Sequence, residues 1–207
     1  MFATAKRIKK NVATIFLASI IPIYSYCQSN FPIKVAVGNE ATAVPYTRFV
    51  TTPFHPTLQV GTEYFYSNSE RHDFYQTANA GYIFHNYLYQ GVYLNTGLGY
   101  DYIFKFGLKL KSNFELGYLQ TFTTQDEYQL KNGDYVQGSD CGNARLMPML
   151  SIGPGYIFRK KNSVLSEVFL LYKSWVEYPY SPGFIPIMTH TNLEIGYKQY
   201  INWPHEK

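Results

Sequence analysis

Eight ionisable residues recur at alternating positions along the chain and could support acid–base or ion-conducting chemistry. Carboxylates and lysines are both among them, so a general acid, a general base or a charged path could be assembled. An isolated charge away from water is costly, and mixed charges in a narrow interior therefore pair with one another. We expect these residues to form a polar network that plugs an interior: Glu63, Asp101, Lys109, Glu115, Glu167, Lys173, Glu194 and Lys198.

Three histidines, His55, His85 and His190, fall near the ends of predicted strands, where they could meet around a metal ion or a haem. Zinc ligands usually follow short, recognisable spacings. These histidines lie far apart in the sequence, and no carboxylate accompanies them at such a spacing. We therefore interpret them as polar residues at the rim of the fold, and the sequence predicts no metal and no cofactor.

The elements that carry these residues are predicted to be about eight β-strands, because apolar and polar residues alternate with a period of two. One face of each strand is apolar or aromatic, and the other carries the charges and most glycines. In the fifth strand, for example, Leu110 and Leu116 alternate with Lys109 and Glu115. The first strand is predicted only around residues 33–37.

Five Gly-Tyr pairs indicate which face points inward, at residues 81–82, 99–100, 117–118, 155–156 and 196–197. Neighbours on a strand point to opposite faces, so each pair separates a glycine from a ring. The bore of a small closed barrel is just wide enough for side chains, and glycine on its concave face leaves room for bulky neighbours. The charged face therefore points inward. The predicted fold is all-β, a closed antiparallel up-and-down transmembrane β-barrel of about eight strands.

The lengths of the connections agree with a barrel that crosses a membrane. Rings near the strand ends, with aliphatic residues between them, predict two aromatic girdles. The predicted outer links are 44–56, 85–90, 124–143 and 177–189, and the predicted inner turns are 67–73, 104–107 and 159–162. Long loops at one end and short turns at the other are typical of bacterial outer-membrane barrels.

The start of the chain predicts export from the cytoplasm. Four cations, Lys6, Arg7, Lys9 and Lys10, precede an apolar run that is too short to span a membrane. Residues 1–27 are therefore predicted to be a cleaved secretory signal peptide, and residues 28–207 the barrel domain. A lipidated Cys27 is the alternative.

Composition narrows the classes of partner. Without the four cations of the signal peptide, 14 of the 18 Lys and Arg residues remain to balance 14 Asp and Glu residues, so no basic surface suggests nucleic-acid binding. Cys141 would be the one remaining cysteine, which excludes an intrachain disulfide framework. Only 15% of residues are charged and 18% are aromatic. We infer that lipid covers part of the surface.

The segments GLGYDY, LGYLQTF, IGPGY and EIGYKQY, together with the signal peptide and the loop asymmetry, resemble the small eight-stranded bacterial outer-membrane β-barrel proteins of OmpA/OmpX-like or PagL-like architecture. The resemblance covers essentially the whole mature chain. It implies a monomer in the bacterial outer membrane, surrounded by the lipid bilayer and lipopolysaccharide. It also implies a non-enzymatic role in surface interaction or envelope integrity.

Some barrels of this kind are enzymes, and PagL-type lipid A deacylases use a His-x-Ser pair with a carboxylate to cleave an ester. The nearest match here is His190-Thr191-Asn192, followed by Glu194. Asn192 stands where the serine should be, and an amide cannot attack an acyl carbon. His190 and Glu194 are thus the candidate catalytic residues of an alternative function, a lipid A-modifying hydrolase. A secreted soluble barrel that binds a small apolar ligand is a further alternative.

The predicted outer loops carry the residues best suited to recognition. Residues 127–137 are predicted to form a hairpin, because Asn132-Gly133 favours a type I′ turn. The loop 178–186 combines three prolines with exposed rings, and such stiff aromatic surfaces lose little entropy on binding. The candidate residues for an extracellular partner are Tyr128, Tyr135, Tyr178, Tyr180 and Phe184.

Overall fold

A computed structural model describes residues 30–47, 49, 51–85, 88–124, 128–131, 134–137, 142–158, 166–181 and 183–202. The predicted signal peptide, with Cys27, lies outside these residues, and so does Cys141. Within the described part of the chain, no helix is long and apolar enough to cross a membrane.

Eight long strands form one closed antiparallel barrel, which confirms the predicted fold class. They are β1 (Asn30–Ala41), β2 (Pro56–Asn68), β3 (His72–Phe84), β4 (Tyr89–Ile103), β5 (Leu108–Thr123), β8 (Asn143–Phe158), β9 (Ser166–Glu177) and β10 (Met188–Asn202). Each pairs with its neighbours in chain order, and β1 closes the barrel against β10. Two short strands, β6 (Tyr128–Lys131) and β7 (Asp134–Gln137), form a separate hairpin in the link between β5 and β8.

β1 is longer than the five residues predicted for it. It pairs with β10 from Asn30↔Asn202 to Ala41↔Thr191, and with β2 from Ile33↔Thr62 to Asn39↔Pro56. Main-chain pairing with β10 continues over the whole of β1, so the strand extends beyond the stretch in which side chains alternate.

Burial alternates along the strands in the sense predicted from the glycines. On β5, Lys109, Lys111, Asn113 and Glu115 are buried inside the barrel, whereas the apolar residues between them face outward. The period of two in the sequence is therefore the alternation between bore and outer wall.

Glycines on the inner face make room for rings from neighbouring strands. A Cβ atom at Gly81 would lie 2.2 Å from the ring of Tyr93, and one at Gly99 would lie 2.2 Å from the ring of Tyr75. Neither ring could keep its position beside a larger residue. The glycines thus position aromatic side chains across the bore.

The bore also contains an apolar layer, which the alternation of apolar and polar residues does not predict. Its members are buried side chains that point inward between polar neighbours, namely Ile83, Tyr89, Tyr93, Leu119, Met147, Met149 and Trp175. The inner face is therefore polar at both ends and partly apolar between them.

The link between β1 and β2 covers part of the outer wall. Tyr172 has the outward parity of β9, yet it is only 7% exposed. The rings of Tyr46 and Phe49 lie 5.3 Å and 5.1 Å from the Tyr172 ring, and the Tyr46 N–H donates to its hydroxyl at 2.9 Å. This link therefore folds back against the barrel.

Candidate functional site

The eight predicted interior residues all lie inside the bore, in two groups. The first, here called the ionic cluster, lies toward the end with the short turns, and it includes Glu63, Asp101, Lys109, Glu167 and Lys198 together with Lys34, Asp73 and Lys111. The second group contains Glu115, Lys173 and Glu194. Every one of these side chains is almost completely excluded from solvent.

Lysines and carboxylates alternate within the ionic cluster. Lys111 Nζ lies 2.7 Å from Asp101 Oδ2 and 2.8 Å from Glu167 Oε1. Lys198 Nζ lies 2.8 Å from Glu63 Oε2 and 2.9 Å from Glu167 Oε2. Each cation thus bridges carboxylates from different strands, which offsets the desolvation of the charges.

The second group relies on neutral hydrogen-bond partners as well as on an ion pair. Lys173 Nζ lies 2.7 Å from Glu194 Oε2 and donates to Gln59 Oε1 at 2.6 Å. Glu115 Oε1 accepts from Thr77 Oγ1 at 2.7 Å and from Asn79 Nδ2 at 2.9 Å. Together with the rings, these side chains fill the bore.

His190, the candidate catalytic residue, is completely buried and engaged on both ring nitrogens. Nδ1 lies 2.7 Å from Glu40 Oε1, and Nε2 lies 3.1 Å from Glu177 Oε2. The indole of Trp175 stacks on the ring with centroids 4.0 Å apart. Glu194 is not part of this arrangement, because it pairs with Lys173. The structure does not bring the two predicted catalytic residues together.

Asn192, at the position of a nucleophilic serine in the resembled enzymes, is also buried. Its amide donates to Thr57 Oγ1 at 3.1 Å and to Glu194 Oε2 at 3.5 Å. The side chain therefore has a structural role in joining β10 to β2.

His55 and His85 lie at the long-loop end of the barrel, beside the ends of β2 and β3, but both are buried next to Glu40. Their rings stack with centroids 3.6 Å apart. One ligand atom of each of Glu40, His55 and His85 lies within 4.8 Å of the other two. Burial first, and then the neighbouring His55, lower the pKa of His85 below its ordinary value, which favours the neutral imidazole. We call Glu40, His55 and His85 the histidine–carboxylate cluster.

A cavity opens from this cluster toward the end of the barrel that carries the long loops. Its volume is about 350 Å³. His55 and His85 form part of its wall, and the link between β1 and β2 contributes the hydroxyl groups of Thr42, Thr47, Thr51 and Thr52. The two histidines thus border a cavity whose wall combines threonines with apolar residues such as Val44 and Pro53.

The loop residues predicted for recognition differ in their exposure. Phe184 is 83% exposed and Tyr178 is 48% exposed. Tyr180 is half-buried, and Arg145 lies over its ring while donating to its carbonyl oxygen at 2.6 Å. In the predicted hairpin, Leu130 pairs with Tyr135 and Tyr128 pairs with Gln137. The side chains of Tyr128 and Tyr135 lie outside the described part of the structure.

A closed barrel of eight antiparallel strands, with an exposed apolar wall and buried charges, is the architecture of the small outer-membrane β-barrel proteins. The chain is similar to Neisserial surface protein A, NspA, with a TM-score of 0.53 and 10% identity over 86% of this chain and 100% of that one.

Two further solved barrels give lower TM-scores. The outer-membrane enzyme PagL gives a TM-score of 0.45 and 12% identity over 81% of this chain and 97% of its own. The attachment invasion locus protein Ail of Yersinia pestis gives a TM-score of 0.44 and 7% identity over 84% of this chain and 100% of its own. No protein-family model matches the chain, and no curated protein matches it. At such identities the likeness concerns the fold alone.

Proposed function

We propose that this protein is an integral barrel of the bacterial outer membrane with a non-enzymatic role in surface interaction or envelope integrity. The observation that carries the proposal is the polarity of the barrel. Its outer wall exposes large apolar side chains on every long strand, whereas the charged side chains of these strands lie inside the barrel. A soluble barrel would have the opposite polarity.

The exposed wall is too extensive for a soluble monomer. Phe114 on β5, Leu150 on β8 and Ile195 on β10 are each more than half exposed. Soluble monomers rarely expose contiguous apolar patches above a few hundred Å². A wall of this kind needs lipid around it, which argues against the alternative of a secreted soluble barrel.

Aromatic residues support two interfacial girdles. Near the short turns, contacts link Tyr66 to Phe74 and Tyr102 to Phe104, and the Tyr100 hydroxyl lies 2.6 Å from His72 Nδ1. Toward the other end, Tyr82 donates to Gln90. Phe74 and Tyr82 are eight residues apart on β3. At about 3.4 Å per residue and a tilt of about 40°, they lie roughly 20 Å apart along the membrane normal, close to the thickness of a lipid-facing band.

The filled bore and the loops favour recognition over transport or catalysis. Paired charged, polar and aromatic side chains occupy the bore, and a wide water-filled channel needs many more strands. The loop 178–187 is held by hydrogen bonds from Tyr180 N to Pro186 O and from Ser181 N to Ile185 O. Phe184 projects from this stiff loop, where it is available to an extracellular partner or to lipopolysaccharide. The hydrolase alternative would need His190 at the lipid face, whereas its side chain is inside.

Membrane fractionation and heat-modifiable electrophoresis test this proposal. We expect the full chain, expressed in a Gram-negative host, to sediment with the outer membrane and to migrate faster in detergent gels before boiling than after it. The periplasmic maltose-binding protein of the host serves as the soluble control. Recovery of the folded protein in the soluble periplasmic fraction would contradict the proposal.

A further inference from the structure

We propose that Glu40, His55 and His85 form a binding site for a divalent transition-metal ion at the long-loop end of the barrel. Three separate parts of the chain supply these residues: the end of β1, the residue preceding β2, and the residue following β3. This proposal rests on the positions of the three side chains and is independent of the proposed function.

The hydrogen bonds of His55 prepare one of its nitrogens for a cation. Nδ1 lies 3.2 Å from the carbonyl oxygen of Glu40. A carbonyl oxygen only accepts, so this contact requires the proton to be on Nδ1 and leaves a lone pair on Nε2. In metal sites, the same type of contact fixes the ligating tautomer of histidine.

Two buried acceptors in the cluster have no hydrogen-bond donor among the described residues. They are His55 Nε2 and Glu40 Oε2. The side chains are 6% and 0% exposed. A buried acceptor without a partner costs free energy, and a cation that both atoms approach would remove that cost.

A second layer of contacts orients Glu40. Its other oxygen, Oε1, lies 2.7 Å from His190 Nδ1, and His190 Nε2 lies 3.1 Å from Glu177 Oε2. Arg145 Nε lies 2.8 Å from Glu177 Oε1. Metal-ligating carboxylates are themselves hydrogen-bonded in this way, which holds them in position. His190 is therefore a positioning residue rather than a ligand.

The donor set indicates the class of metal. Two imidazoles and one carboxylate suit zinc and neighbouring first-row ions, whereas calcium and magnesium require oxygen ligands. A set of three protein ligands leaves a further coordination position for water. The cavity beside His55 and His85 has room for that water.

Binding requires a local movement of the two rings. The planes of the two stacked imidazoles are 24° apart, so their lone pairs lie in nearly parallel planes and the rings must tilt apart to converge on one ion. The Leu88 N–H also donates to His85 Nδ1 at 3.3 Å. Ligation through Nε2 of His85 would move its proton to Nδ1 and replace this contact. The ion would thereby connect the β1–β2 and β3–β4 links.

Calorimetric titration of the untagged, detergent-folded barrel with ZnCl2 tests the site. We expect one high-affinity Zn²⁺ per chain, no comparable binding of Mg²⁺, and at least a ~100-fold loss of Zn²⁺ affinity in His55→Ala and in His85→Ala, since each removes a direct ligand. His72→Ala is the matched control, because His72 is exposed on the outer surface beside Tyr100. Each variant is first checked for heat-modifiable mobility.

Two further variants separate ligation from structural support. Glu40→Gln keeps the shape of the side chain but removes its charge, and it should weaken Zn²⁺ as severely as the histidine variants. His190→Gln should weaken it by about 10-fold, as expected for a residue that orients a ligand. Absence of Zn²⁺ binding, or unchanged affinity in folded His55→Ala, His85→Ala or Glu40→Gln, would overturn the inference.

Discussion

A charged side chain inside the bore needs its ion-pair partners to offset the cost of burial, whereas a charged side chain on the surface does not. Lys198 is completely buried and contacts two carboxylates, Glu63 and Glu167. Removal of one partner from such a group leaves an uncompensated charge in a site from which water is excluded. A solvent-exposed lysine that loses an ion-pair partner costs much less stability, because solvent screens its charge.

Replacement of Lys198 by methionine should therefore destabilise the barrel by about 3–5 kcal/mol, the usual cost of breaking a buried ion pair. Urea unfolding of the protein in lipid vesicles measures this change. Lys105→Met is the control, because Lys105 is exposed in the β4–β5 turn and should change stability very little. Equal stability of the two variants would show that the ionic cluster does not hold the strands together.

The residues that the sequence analysis missed lie where the alternation is obscured. Ile83 lies between Tyr82 and Phe84, and Leu119 follows Tyr118, so apolar residues occupy both faces and the period of two disappears. The histidine–carboxylate cluster was missed for another reason. Its members are brought together by the pairing of β1 with β2 and of β2 with β3, and no local spacing encodes that meeting.

At the scale of the elements, the strands depend on pairs of an inward glycine and a neighbouring ring. Gly81 on β3 lies under Tyr93 of β4, and Gly196 on β10 lies under Phe169 of β9. Glycine alone offers no side chain to pack, and the ring from the next strand covers the exposed backbone. The sequence revealed the glycines, but only the strand register revealed their partners.

Substitution of alanine for Gly81 should cost about 1–3 kcal/mol, because its Cβ would overlap the Tyr93 ring. The cost should be smaller when Tyr93 is already leucine, which a double-mutant cycle of unfolding free energies would show. Ala78→Val, on the exposed outer face of β3, should be close to neutral. Additive effects of Gly81→Ala and Tyr93→Leu would contradict this account.

At the scale of the whole molecule, the alternation, the glycines and the link lengths were sufficient to predict a closed barrel of eight strands and the polarity of its wall. These features are properties of each strand and its neighbours. The orientation of the barrel is a separate matter, since it depends on which end carries the longer loops. We expect the end with Phe184 to face the exterior and the end with Lys105 to face the periplasm.

Labelling of intact cells with a membrane-impermeant maleimide tests that orientation. In a Cys141→Ser background, Phe184→Cys should be labelled on intact cells, because Phe184 is highly exposed at the long-loop end. Lys105→Cys, in the opposite turn, should be labelled only after the outer membrane is permeabilised. The reverse pattern would show the opposite orientation.

The pairing of β1 with β10 has a consequence for how the chain reaches its final state. These strands are the most distant in sequence, yet their pairing forms the seam that closes the barrel, over the register from Asn30↔Asn202 to Ala41↔Thr191. Until that seam forms, the sheet has two unpaired edges, each able to recruit another chain and aggregate. Contacts between such distant segments also form slowly. We therefore expect the folding chain to need a chaperone that covers both edge strands until the barrel closes.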